Sequence, residues 1–145
     1  MKLLFRISVY ALLFAVCGCI VPEEVTEIQY KTAGLTERKW ILTELNGSSA
    51  RLHQDYQLRP YLVLDSVATG RSDCNSFFTN YEMIDSNRIA FSCCSHTKRG
   101  CPDDALEPQF FNALEETKSY LMPDNNHLVF KNVEKKVVAK FESVE

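Results

Sequence analysis

Apolar and polar residues alternate along most of the chain after residue 38, as they do in half-buried β-strands. The period of two is clearest over 135–142, where the apolar residues fall on one face. Turn signals such as Asn46-Gly47 separate the apolar segments, and Gly70 in the polar segment 69–73 suggests a bulge or a tight bend. The strands predicted in this way are 39–45, 61–65, 69–73, 77–84, 89–91, 120–122, 128–130 and 135–142.

One segment has the period of a helix instead. Its apolar residues at positions 106, 110, 111 and 114 form a stripe on one helical face. Pro108 cannot donate a backbone hydrogen bond and therefore belongs in the first turn, where acidic residues such as Glu107 also favour the helix dipole. The pattern predicts a helix over 107–118. The predicted fold class is α+β: a small, mostly antiparallel β-sheet or partial barrel of about seven or eight strands packed on one α-helix.

The N-terminus is typical of a bacterial lipoprotein signal. Basic residues precede an apolar core over 7–18, and this core is too short to span a bilayer, which needs about 20 residues. The run Val16-Cys17-Gly18-Cys19 ends the core with an aliphatic residue, a small residue, glycine and the cysteine that is lipidated in such signals. We therefore predict a signal peptide over 1–18 and an acylated Cys19. An ordinary secretory signal cleaved near Gly18 is the alternative.

Charge and composition define the rest of the chain. Residues 20–37 have no sustained period, so we predict a tether over 19–37 and a single domain over 38–145. Removal of residues 1–18 changes the balance from 16 basic and 19 acidic residues to 14 and 19, a net charge of −5. This acidic balance, without a basic patch, excludes a nucleic-acid partner. We predict a monomer in the bacterial cell envelope, in the periplasm or at the surface, with the membrane and an unidentified envelope protein as partners.

Four further cysteines remain in the predicted mature chain: Cys74, Cys93, Cys94 and Cys101. An exported protein lies in an oxidising compartment, so disulfides are expected, and four cysteines allow three pairings. A bridge between Cys74 and Cys101 would close a loop of about 28 residues and stabilise the fold by roughly 3 kcal/mol. A bridge from Cys93 or Cys94 to Cys101 is also feasible.

The alternative chemistry for these cysteines is metal binding. Cys93, Cys94, His96 and Cys101 place three thiols and an imidazole within nine residues, and such ligands suit zinc or cuprous copper. However, adjacent side chains on a strand point to opposite faces, and the spacing matches no standard zinc site. We therefore predict no metal or other cofactor, and keep a metal- or redox-handling protein as an alternative.

Three motifs together resemble one family. They are Cys-Asn-x-Phe at 74–77, Thr-x-x-x-Cys at 97–101 and Glu-x-x-Phe at 107–110. In this order they resemble the META domain, whose best-known bacterial members are the HslJ heat-shock lipoproteins. The resemblance covers about residues 38–142.

This resemblance implies a small antiparallel β-structure wrapped on one helix, in a lipid-anchored or periplasmic protein. It implies an association with heat shock and novobiocin resistance, and no established enzyme activity. Cys74 and Cys101 match the family's two cysteine positions, which implies a disulfide between them. Asn75 and Glu107 are the matching polar positions. We interpret both as structural rather than ligand-binding: Asn75 would satisfy backbone groups at a bend, and Glu107 would cap the helix.

No catalytic arrangement is evident in the sequence. His53, His96 and His127 are the three histidines, and none belongs to a recognised nucleophile motif. A Gly-x-Ser-x-Gly motif and a phosphate-binding glycine loop are also absent from the sequence. We predict a non-enzymatic, lipid-anchored envelope protein of the META type, linked to heat, envelope stress or antibiotic tolerance. The alternatives are the metal- or redox-handling protein and a protein-binding or inhibitor module that offers a strand edge.

Overall fold

A computed structural model of the chain describes residues 34–49, 52–73, 75–100 and 106–144. These residues form ten strands, a short 3-10 helix and one α-helix. The strands are β1 (Lys39–Leu45), β2 (Tyr61–Leu64), β3 (Ala68–Arg71), β4 (Ser76–Thr79), β5 (Tyr81–Met83), β6 (Ile89–Phe91), β7 (Ser95–His96), β8 (Ser119–Asp124), β9 (His127–Lys131) and β10 (Val137–Val144); the 3-10 helix is Tyr56–Leu58 and α1 is Leu106–Glu116.

Eight of the strands form one open antiparallel sheet in the order β7-β4-β3-β2-β1-β10-β9-β8, and β5 and β6 form a separate hairpin. Backbone hydrogen bonds connect the hairpin to the β8 edge of the sheet. The N–H of Tyr120 donates to the carbonyl of Asn87 at 2.9 Å, and the N–H of Ile89 donates to the carbonyl of Lys118 at 3.3 Å. The predicted fold class, a mostly antiparallel β-structure with one helix, is confirmed.

The helix α1 packs through its apolar stripe against the sheet. Leu106, Phe110 and Leu114 are buried. The ring of Phe110 makes edge contacts with Phe77, at 5.6 Å between centroids, and with Phe141, at 6.5 Å. The helix begins one residue before the predicted start and ends two residues before the predicted end. None of the described helices has the length and apolarity that a membrane span requires.

The segment before β1 already belongs to the domain. Leu35 is fully buried, and its carbonyl accepts a hydrogen bond from the indole Nε1 of Trp40 at 2.8 Å. The N–H of Glu37 donates to the carbonyl of Leu64 at 3.0 Å. The folded domain therefore begins before residue 38, and residues 34–37 are not part of a free tether.

Gly70 lies in a regular strand and not at a bulge, so that prediction was wrong. It pairs with Leu62 on one side and Phe77 on the other, and the register is continuous on both sides. A Cβ atom at this position would lie 2.0 Å from the carbonyl oxygen of Tyr61 and 2.9 Å from the Phe77 ring. The glycine is present because neighbouring backbone approaches too closely for any side chain.

Candidate functional site

The side chain of Asn75 joins the start of β4 to two other parts of the molecule. Asn75 is 2% exposed. Its Oδ1 accepts hydrogen bonds from the Thr97 hydroxyl and from the backbone N–H of Arg99, both at 2.8 Å. Its Nδ2 donates to the Arg99 carbonyl at 3.1 Å and to Glu107 Oε1 at 3.2 Å. Both donors and both acceptor positions of the amide are therefore in use.

Glu107 lies in the first turn of α1 and directs its carboxylate at the strands. Oε1 accepts from Asn75, and Oε2 accepts from the hydroxyl of the fully buried Ser72 at 2.5 Å. The Glu107 side chain is 14% exposed. The carboxylate thus connects the helix to the ends of β3 and β4. The helix cap predicted for Glu107 stays a prediction, because residues 101–105 directly before the helix lie outside the described residues.

Thr97 completes the polar cluster, which we define as Ser72, Asn75, Thr97 and Glu107. The N–H of Ser76 donates to the Thr97 hydroxyl at 3.2 Å, and the N–H of Thr97 donates to the Ser76 carbonyl at 3.0 Å. Residues from all three sequence motifs therefore meet at one place. The members of the polar cluster bond to one another and to nearby backbone, which holds the chain around β4, β7 and α1 in one geometry.

His96 lies beside the polar cluster. Its Nδ1 is 2.9 Å from the Thr97 carbonyl and 3.6 Å from Glu107 Oε1, and its ring lies 4.9 Å from that of Phe111. This places a serine, a glutamate and a histidine in one row. The glutamate, however, stands in the middle, so the imidazole does not contact the hydroxyl as a general base must. Ser72 is also fully buried, which denies a substrate access to its hydroxyl.

The other two histidines lie in separate parts of the fold. His127 begins β9 and contacts the carboxylate of Asp124 at 2.8 Å, with both side chains exposed. His53 accepts a hydrogen bond from the N–H of Asp55 ahead of the 3-10 helix. Both therefore have local structural roles in turns.

Cys93 and Cys94 lie between β6 and β7 and are free thiols in the structure. Cys93 is exposed, whereas Cys94 packs against the core. Burial raises the pKa of the Cys94 thiol to about 11, although a hydrogen bond with Thr79 opposes this shift. A thiol with this pKa is protonated at neutral pH and is a poor nucleophile.

The metal and anchor predictions fall partly outside the described residues. Within these residues, no group of three or more histidine, cysteine, aspartate or glutamate side chains could hold a metal ion. Cys101, the fourth member of the alternative metal set, lies outside them, as do Cys74 and the predicted acylation site Cys19.

The sequence reasoning missed one surface feature next to the polar cluster. Phe78 is 57% exposed although it lies in the middle of β4. It borders an apolar depression of about 280 Å³ on the β4–β7 ribbon, lined by Ser76, Phe77, Phe78, Ser95, His96 and Thr97. The sequence signal was the adjacent pair Phe77-Phe78 in a predicted strand, because successive side chains of a strand point to opposite faces.

Comparison with known proteins agrees with this architecture. The META domain family model matches residues 33–145. The NMR structure of a protein from Burkholderia xenovorans is similar, with a TM-score of 0.62, 19% sequence identity and coverage of 79% of this chain and 87% of that chain. At this identity the structural match shows the fold alone. A comparison with curated proteins found no match. Because the family model spans most of the chain, including the whole polar cluster, the chain belongs to the META domain family.

Proposed function

We propose that this META-domain protein is a lipid-anchored component of the bacterial envelope and acts by binding another molecule rather than by catalysis. One observation carries the non-catalytic part: the polar cluster is occupied by its own hydrogen bonds. Ser72 is fully buried and donates to Glu107, while the Asn75 amide uses both donors and both acceptor positions. An active site needs a reachable group with an adjusted protonation state. The cluster instead fixes the positions of three chain segments.

The envelope part of the proposal is supported by the sequence before the domain. The run from Val16 to Cys19 follows a short apolar core and has the form of a lipid-attachment site. One acyl chain gives weak membrane binding and more than one gives firm binding. An acylated Cys19 would therefore keep the domain at the membrane, in the periplasm or at the cell surface. The resemblance to HslJ lipoproteins supports a role in heat, envelope-stress or novobiocin tolerance.

The two alternatives differ in support. The redox-handling alternative is weakened by Cys94, because burial of this partly buried side chain raises the pKa of its thiol to about 11. The binding-module alternative is strengthened by the exposed Phe78 beside the β7 edge of the sheet. The proposed function therefore combines the lipid anchor with binding.

Complementation of a strain that lacks the gene tests the proposal. The wild-type protein should restore growth at high temperature or in novobiocin. The Cys19→Ser variant should be absent from the membrane fraction and should fail to restore growth. The double variant His53→Gln/His127→Gln is the control, because both side chains lie in turns away from the polar cluster, and it should restore growth fully. If Cys19→Ser fractionates and complements like the wild type, the anchor is wrong. A folded Ser72→Ala variant that fails to complement would show that the polar cluster performs chemistry.

A further inference from the structure

The two edges of the main sheet differ in whether another strand covers them. The β8 edge is covered by the β5–β6 hairpin through the backbone bonds of Tyr120 and Ile89. At the other edge, β7 pairs with β4, and no further strand pairs with β7 among the described residues. An edge strand of this kind presents backbone donors and acceptors to another chain.

The backbone of His96 faces this open side. Thr97 donates its N–H to the carbonyl of Ser76, so these two residues face each other across the ribbon. Hydrogen-bonded and non-hydrogen-bonded pairs alternate in antiparallel ladders. The next pair, Phe77 with His96, is therefore non-hydrogen-bonded, and the His96 N–H and carbonyl point away from β4. They are positioned to bond to an added strand.

An apolar surface lies beside these backbone groups. Phe78 pairs with Ser95, and both belong to the outer face of the ribbon. Because Ser95 and Thr97 are small, a large side chain on an added strand could extend over them and contact the ring of Phe78. The depression of about 280 Å³ at this point is lined mainly by apolar surface of these residues.

The β7 strand is also held rigidly. The His96 ring packs on Phe111, and Thr97 donates to the buried Asn75. Binding would therefore not have to order the strand first, which is the usual cost for a flexible segment. The exposed Lys98 lies two residues after the end of the strand and adds a positive charge there.

From these observations we infer that the β7 edge, meaning the backbone of residues 95–97 with the side chain of Phe78, binds an extended segment of a partner protein. The segment adds a strand to β7, places a large apolar side chain on Phe78 and an acidic residue beside Lys98. This is strand addition, in which main-chain bonds give affinity and side-chain contacts give specificity. The inference rests on the proposed binding function and names the surface and the ligand class.

The inference can be tested by selecting binders from a phage-displayed library of random nine-residue peptides. The target is the proposed mature chain, residues 19–145 with Cys19→Ser. Enriched peptides should share a large apolar residue and an acidic residue, and their binding should slow hydrogen exchange of the His96 amide. His96→Pro removes the outward N–H without removing a bond to β4, and should weaken binding of a synthetic enriched peptide about tenfold. Phe78→Ser should weaken it by a similar factor, about tenfold.

Two matched variants serve as controls. His96→Gln keeps the backbone N–H but loses the ring contact with Phe111, so it should bind the peptide more tightly than His96→Pro does. Leu58→Ser removes a comparably exposed apolar side chain elsewhere, 48% exposed against 57% for Phe78, and should bind as the wild type does. If no peptide is enriched, or if enriched peptides bind Phe78→Ser as well as the wild type and leave the His96 amide unprotected, the β7 edge is not the site. Enriched peptides that bind elsewhere would leave the proposed binding function standing. A wild-type dimer that His96→Pro abolishes would instead make a second copy the occupant and overturn the partner-protein inference.

Discussion

The side chains of Asn75 and Glu107 are hydrogen-bonded at 3.2 Å, which joins the start of β4 to the first turn of α1. The two residues are 32 positions apart, so this contact exists only in the folded chain. Ser72 and Thr97 bond to the same two side chains. A buried polar network of this kind stabilises one arrangement of its segments when every member has its partners, and is costly when one is missing.

Replacing Asn75 by alanine should destabilise the domain strongly. The Thr97 hydroxyl, the Arg99 backbone and the Glu107 carboxylate would each lose a part-buried hydrogen bond to the buried Asn75 side chain. We expect a loss of about 2–3 kcal/mol in the free energy of unfolding, and a fall in Tm of about 10 °C or more. Urea and thermal unfolding measure both. The control is Asn80→Ala, a substitution at an exposed position. Its free energy of unfolding should stay within about 0.5 kcal/mol of the wild-type value. Equal losses in the two variants would contradict the role of the network.

The sequence predicted the elements with strong periodicity and missed those that depend on distant pairing. The helical stripe and the alternating residues of β10 are local patterns, and both elements formed near the predicted bounds. The strand β7 has two polar residues and no detectable period, and it exists because it pairs with Phe77 and Phe78. The predicted strand over 77–84 is divided at Asn80 into β4 and β5, which enter different sheets.

The candidate site was predictable in part for the same reason. The motifs identified Asn75, Thr97 and Glu107 as related positions, but not that their side chains meet. The hydrogen bond from Ser72 to Glu107 spans 35 positions and follows no local rule. The exposure of Phe78 likewise depends on which neighbours cover the outer face of the sheet. Such contacts are set by the packing of distant segments, which a single sequence does not encode in a readable period.

Replacing Gly70 by alanine should prevent normal folding. The added Cβ would lie 2.0 Å from the carbonyl oxygen of Tyr61, a backbone atom that cannot move without breaking the β2–β3 ladder. We expect a loss of more than about 3 kcal/mol in the free energy of unfolding, or aggregation on expression. Gly100→Ala is the matched control, because among the described residues no atom beyond its chain neighbours lies within 4 Å of the added methyl group there. Two variants of equal stability would disprove the close approach at Gly70.

The stability of the domain should fall in alkaline solution through Tyr56. Burial, followed by the hydrogen bond to Glu142, raises the pKa of Tyr56 to about 12. Below its ordinary pKa of about 10, tyrosine is protonated in both the folded and the unfolded chain. Between pH 10 and about 12 the unfolded chain loses this proton more readily than the folded chain, so the free energy of unfolding decreases as the pH rises.

Tyr56→Phe tests this pH dependence. The variant lacks the hydroxyl that donates to Glu142 at 2.6 Å, which should cost about 1 kcal/mol or less below pH 10. It should then lose less stability than the wild type between pH 10 and 12. Urea unfolding at a series of pH values measures both curves, and parallel curves for the two proteins would refute the assignment to Tyr56.

The two free thiols should differ in reactivity. Cys93 is exposed, whereas burial raises the pKa of Cys94 to about 11. Because the thiolate is the reactive form, iodoacetamide at pH 8 should alkylate Cys93 at least about tenfold faster than Cys94. Mass spectrometry of timed samples gives both rates. In urea the two cysteines should react at similar rates; equal rates in the folded protein would show that Cys94 is not protected.

Cys74 and Cys101 should be joined by a disulfide in the exported protein. Cys93 and Cys94 are free thiols, which leaves Cys74 and Cys101 as the remaining cysteines of the proposed mature chain apart from the acylated Cys19. The residues near them in the sequence already meet, since the Asn75 amide bonds the backbone N–H and carbonyl of Arg99. The bridge would therefore close a loop whose ends are held together by the polar cluster, and reduction should lower the free energy of unfolding by about 3 kcal/mol or less.

Peptide mapping under non-reducing conditions should recover the two cysteines in one linked peptide, with Cys93 and Cys94 alkylated. Cys74 recovered in linkage with Cys93 or Cys94 would replace this pairing, and recovery of four alkylated cysteines would show that the domain is stable without a bridge.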